Sequence, residues 1–175
     1  YRRMKANNPL LSSEEMESLK AREIEKERQV LTPRRQLLEC LDYCADKGKR
    51  VYLVSDMYLP GEILTDILRR FGITRYDGLL VSCDHKTTKR EGLFGKMKEQ
   101  APAGSAYLHI GDHPVADGEA ARENGMDAYL ILSPLRMMEL SAYAGLLVHL
   151  GGLESRVMLG LLMSEVFNDP FALYR

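Results

Sequence analysis

The sequence has no tryptophan and only three cysteines, with no Cys-x-x-Cys pair among them. An odd, unpaired count excludes the disulfide framework of a small secreted domain and fits a reducing, cytoplasmic compartment. No charge-free apolar run reaches the roughly 18 residues of a membrane span. The longest weakly polar stretch, Leu140 to Leu153, is shorter and contains His149. Neither sign of charge is in excess: 24 Lys and Arg against 25 Asp and Glu leave a formal net charge of −1. That balance argues against nucleic acid, which is met with a basic surplus. A hydrophobic share of 45% argues against disorder. A signal-peptide pattern is missing, as is an opening methionine, so the chain is read as a piece of a longer protein. Its 175 residues suffice to bury a core without covalent staples.

What is present divides into three stretches. Residues 1–50 read as helical. Ser12-Ser13-Glu14-Glu15 forms a capping box, and the charge-dense segment from Met16 to Val30 reads as a solvated helix. Thr32-Pro33 predicts a second start, with Thr32 as N-cap. Its apolar face is Leu37, Leu38, Leu41 and Cys44, and Lys47-Gly48 ends it. Residues 51–135 alternate short apolar runs with helical patterns. The strands are predicted near 51–54, 78–81, 106–110 and 128–132, and the helices over 61–71, 91–100 and 116–124. Such alternation is the signature of an α/β domain with a parallel, Rossmann-like sheet between helical layers. Residues 136–175 return to helix, over 137–149 and 153–167.

Ligands of an open α/β sheet bind beyond the carboxyl ends of its strands. The residues there are Ser55-Asp56-Met57-Tyr58, then Ser82-Cys83-Asp84-His85 with Lys86 and Lys89, then Gly111-Asp112-His113 with Asp117. A hydroxyl, a lysine and several carboxylates on one edge suit a phosphate beside a hard divalent cation. Each element alone is ordinary: Ser-Asp after a strand is commonly a helix cap, and a loop lysine is commonly solvated. Their order along the chain is what makes the set specific.

That order resembles the haloacid dehalogenase superfamily, chiefly Mg²⁺-dependent phosphatases with an aspartate nucleophile, over roughly residues 32–132. Val51-Tyr52-Leu53-Val54-Ser55 is similar to the family's second motif, whose hydroxyl binds the transferring phosphoryl group. Lys89, in Thr88-Lys89-Arg90-Glu91-Gly92-Leu93-Phe94, is similar to the third-motif lysine, with Lys86 as its competitor. Gly111-Asp112-His113-Pro114-Val115-Ala116-Asp117 is similar to the fourth motif, whose acids hold Mg²⁺ directly or through water. The strings Ser55-Asp56-Met57-Tyr58-Leu59-Pro60 and Phe167-Asn168-Asp169-Pro170-Phe171 resemble a bacterial subgroup of predicted hydrolases tied to glycosyltransferases of surface polysaccharide synthesis. The resemblance implies Ser55 and Lys89 as catalytic, Ser55, Asp56 and Lys89 as phosphate-binding, and Asp112 and Asp117 as Mg²⁺ ligands. It also implies a small phosphorylated substrate. One motif is absent: no Asp-x-Asp occurs in the chain. In the family's strand order that motif's strand lies between those ending at Ser55 and Ile110. The expectation is therefore a sheet split down its middle, the nucleophile lying upstream, and residues 1–50 as a cap remnant.

Several rivals accompany this reading. One is a catalytically inactive scaffold for a glycosyltransferase partner. Another, a receiver-like domain, is disfavoured because Asp112 and Asp117 come late. Asp56 as nucleophile lacks an acid two positions on, where Tyr58 stands. His113 is read as a loop histidine rather than a ligand, Cys40 and Cys44 as packed thiols, and Cys83 as inert. The apolar residues of the C-terminal helices are expected to pack on the domain's own sheet, with docking to a second copy or a further domain as the alternative.

Overall fold

The computed structural model describes residues 7–8, 10–147 and 151–172. They fall into two units, residues 1–32 and 33–175. In the first unit, helix α1 (Ser13–Val30) starts where the capping box places it. The Ser12 amide donates to the Glu15 carboxylate at 2.8 Å, and the Glu15 amide donates to the Ser12 hydroxyl at 3.1 Å. Leu19 and Val30 lie exposed on α1 and Met16 is buried, which suits a largely solvated helix.

The second unit begins with α2 (Arg35–Asp46), two residues later than Thr32-Pro33 predicts. Thr32 does not cap it. The Asn168 side-chain oxygen, 133 residues away, accepts from the Arg35 amide at 3.0 Å. At the other end Gly48 takes φ 66°, the left-handed position that stops a helix cheaply. Then come β1 (Tyr52–Ser55), α3 (Gly61–Arg70), β2 (Gly78–Val81) and the short α4 (Ser82–His85). A wide helical turn (Lys89–Leu93) leads into α5 (Phe94–Gln100), followed by β3 (Leu108–Gly111). A second wide turn (Pro114–Glu119) leads into α6 (Ala120–Glu123) and β4 (Asp127–Leu130). The expected strand and helix alternation is present throughout.

The chain is thus mixed α/β, but its described strands do not form one sheet. β1 pairs parallel with β2, Val54 opposite Leu80, and β3 pairs parallel with β4, Ile110 opposite Tyr129. No ladder joins the two pairs among the described residues. One core serves both: Leu80, Leu93, Phe94, Met97, Ala120, Ala121 and Met126, with Tyr52, Val54, Tyr107 and Ala128 packed against them. Tyr52 and Val54 of β1 turn alternate side chains into that cluster, as a period of two requires, and meet Leu80 of β2 there. The outer side of β3–β4 is open, with Leu108 63% exposed and Ile110 and Tyr129 half so. Those strands are therefore buried on one face rather than two.

The C-terminal stretch departs further from its pattern. In place of one helix over 137–149 there is α7 (Pro134–Glu139), capped by Ser133, and then a tight helical turn (Ala144–Leu147). Ser133-Pro134 is a stronger start signal than the apolar spacing beyond it. Residues 148–150, with His149 and Leu150, lie outside the described residues. Helix α8 (Leu153–Val166) forms as expected but does not bury its stripe. Leu153, Val157, Met158, Leu161, Leu162 and Val166 are exposed and Leu159 is buried. The helix packs chiefly against α7. Among the described residues no helix is long and apolar enough to cross a membrane.

Candidate functional site

Three loops meet at the carboxyl ends of the strands, and hydrogen bonds fix them to one another. After β1, the Asp56 carboxylate accepts from the Lys89 amide at 2.9 Å. The Met57 carbonyl accepts from the Ser82 hydroxyl at 3.1 Å. The Gly61 amide donates to Asp84 at 2.9 Å, and a Cβ at Gly61 would fall 2.7 Å from that same oxygen. The loop after β1 is therefore tied at three points to the segment after β2, so Ser55 and Asp56 stand on a supported edge.

The two lysines after β2 separate clearly. Lys86, in the left-handed region at φ 55°, turns its ammonium onto the Cys83 carbonyl. Lys89 opens the next turn, where Thr88 donates to Glu91 through both its amide and its hydroxyl. Its ammonium reaches Asp117 Oδ1 at 2.5 Å, and the two side chains are only 12% and 6% exposed.

Asp117 is the hub. Its Oδ1 also meets His109 Nε2 at 2.9 Å, and its Oδ2 accepts from the His113 amide at 2.9 Å. Burial alone pushes this carboxyl up. Hydrogen bonds from His109, Lys89 and the His113 amide, with the Lys89 charge, outweigh burial and hold it well below the ordinary carboxylate range. Glycine is required at position 111, since a Cβ there would stand 2.3 Å from the Asp117 Cγ. The Gly-Asp pair after β3 thus has a steric cause: the backbone must let a buried carboxylate lie against it. His113 is an exposed loop histidine, as expected, and its Nδ1 is occupied within the chain. It caps the following turn, accepting from the Ala116 amide at 3.1 Å.

Asp56, Lys89 and Asp117 therefore form one connected network drawn from three loops. Ser55 precedes Asp56 at the end of β1 and is half-buried, and Asp112 precedes His113 and is exposed. Two neighbours carry no motif signal. Arg34 donates to the carbonyls of Leu132 (2.8 Å), just past β4, and of Asn168 (3.1 Å), just past α8. Burial lowers its pKa, opposed by the charges of Asp112 and Asp169. The Phe167 to Phe171 segment is so drawn to the same edge. The other is His109, whose ring stands edge-on to Phe94 at 4.8 Å. Its one signal in the sequence is a polar residue inside the apolar run Ala106 to Ile110, which needs a buried partner.

No protein-family model matches the chain, and no curated protein matches it.

The donor set also speaks to magnesium. A hard divalent cation takes six or so oxygens. Among the described residues no three Asp, Glu, His or Cys side chains group to hold a metal. Both oxygens of Asp117 are already engaged, one by an ammonium that stands where a cation would have to sit. Asp112 is the exposed carboxylate of the pair. The residues described do not by themselves fit the cation. Cys40 and Cys44 lie one turn apart on α2, half-buried. Burial, then the neighbouring Cys44 and Glu39, pushes the Cys40 thiol up, as befits a packed thiol.

Proposed function

We propose that residues 33–175 are the phosphoryl-binding core of a haloacid dehalogenase-type phosphatase for a small phosphorylated metabolite, with the aspartate nucleophile supplied from outside the described residues. The observation that carries this reading is the nearly buried Lys89–Asp117 pair, joined to Asp56 at the strand ends. A lysine so held is a fixed positive charge in a low-dielectric edge, the arrangement that stabilises a transferring phosphoryl group. The two strand pairs add support, because a three-layer Rossmann-like core would be completed by a strand between β1 and β3.

In this reading an aspartate oxygen attacks phosphorus, and the bond to the ester oxygen breaks as that oxygen takes a proton. The aspartyl-phosphate is then hydrolysed by water. Ser55 donates a hydrogen bond to a phosphoryl oxygen and Lys89 offsets the charge. Such enzymes use magnesium; of this chain's residues only the exposed Asp112 carboxylate would be open to it, and the remaining ligands would have to come from outside the described residues. A second reading, an inactive scaffold beside a glycosyltransferase, is favoured by the absence of Asp-x-Asp from the chain.

The test is hydrolysis of p-nitrophenyl phosphate with Mg²⁺ by this chain and by a form extended with an Asp-x-Asp strand. The phosphatase reading expects turnover from the extended form alone, lost in Lys89→Ala. Inactivity of both, with phosphate still bound, favours the scaffold. Turnover by the 175-residue chain that Asp56→Asn abolishes would make Asp56 the nucleophile.

A further inference from the structure

His109 sits at the middle of β3, opposite Ala128, with its side chain 14% exposed. Asp117 is ionised and so can only accept. The hydrogen bond at 2.9 Å therefore requires the proton on His109 Nε2. Asp117 Oδ1 thus receives two donors, the imidazole and the Lys89 ammonium, while the His113 amide pins Oδ2. The carboxylate cannot turn: one oxygen is fixed by backbone and the other by a ring held edge-on against Phe94.

This doubling matters when an anion arrives. A phosphoryl oxygen at the strand ends must draw the Lys89 ammonium at least partly off Asp117. With Lys89 as the sole donor, that movement would leave a buried carboxylate oxygen unpaired, which opposes binding. With His109 in place, Oδ1 keeps a hydrogen bond throughout. We infer that His109 is a positioning residue of the phosphoryl site: it holds Asp117 so that Lys89 can pass to a phosphoryl oxygen without orphaning the carboxylate beneath it. The inference rests on the phosphoryl-binding reading and adds a residue that no motif marks.

The experiment uses the full chain and inorganic phosphate as the probe, with affinity measured by titration calorimetry well below the melting temperature. His109→Leu keeps bulk and loses the donor; His109→Gln places an amide N–H near the position of Nε2. Phosphate affinity is expected to fall about tenfold in His109→Leu, the size of one lost hydrogen bond to a charged group. The Gln variant should recover most of it. A purely packing role would lower the melting temperature of His109→Leu yet leave phosphate affinity as it was, and that result overturns the proposal. Ring ¹⁵N spectra of the unaltered chain need no variant: a proton on Nδ1 rather than Nε2 also overturns it. Failure of the unaltered chain to bind phosphate would instead remove the phosphoryl-binding reading, and this role with it.

Discussion

Asp117 shows how one buried carboxylate can organise an edge of a protein. It is shielded from water, yet three donors keep it ionised. Because its folded pKa is depressed, the pairing contributes its full stability above the carboxyl's unfolded value. That contribution is lost progressively as the pH falls from there through the folded value. Asp117→Asn should therefore destabilise the chain at neutral pH by about 3–5 kcal/mol, since it leaves the Lys89 ammonium without its buried partner. The deficit relative to the unaltered chain should shrink in acid. Urea denaturation at a series of pH values checks both, and a deficit that stays constant into strong acid would contradict the assignment. At this scale the sequence was partly legible. Ser55, Asp56, Lys89, Asp112 and Asp117 could be located because strand ends are visible as apolar runs followed by polar residues. The partner His109 was not, because it faces inward from a strand and no spacing rule connects it to position 117.

Secondary elements divide along the same line, between local and remote causes. The capping box at Ser12 was readable because its two hydrogen bonds close within four residues. The start of α2 was not, because its cap is the side chain of Asn168. The same amide group donates to the carbonyls of Pro33 and Ser164, at 3.0 and 3.1 Å, so one side chain serves the head of α2 and the end of α8. Asn168→Ala should cost about 1–2 kcal/mol, the upper part of the usual range for a lost cap. Asn168→Asp should recover only part of this, since it retains the acceptor for Arg35 but not the two donors. Thermal melts of the three chains decide the order. Helix α8 gives a second expectation. Met158 and Leu162 are 66% and 53% exposed, so Met158→Glu with Leu162→Glu should change folding stability by no more than about 0.5 kcal/mol per site. A larger loss would mean that the helix buries this stripe in solution, and sedimentation of the same variant reports whether a second copy covers it.

For the whole molecule, the alternation of strand and helix was legible and the pairing of strands was not. Period and turn chemistry identify each strand from its own few residues, whereas a ladder depends on which strands lie side by side. The four described strands share one core yet divide into two pairs. Cohesion across that division comes from the buried cluster and from the network around Asp117. The clasp at Asn168 has a consequence for connectivity. By holding the stretch at 33–35 against that at 164–168, it brings two remote points of the chain within a hydrogen bond of each other, so residues 33–172 trace a nearly closed circuit. A circuit of that kind can be opened elsewhere. Joining residue 172 to residue 33 with a short linker, and cutting in the turn at Gly104 (φ 76°, with open space around it), should give a circularly permuted chain that still folds cooperatively. Calorimetry of the permutant, with and without Asn168→Ala, would show whether the clasp or the covalent order of the chain keeps the circuit shut.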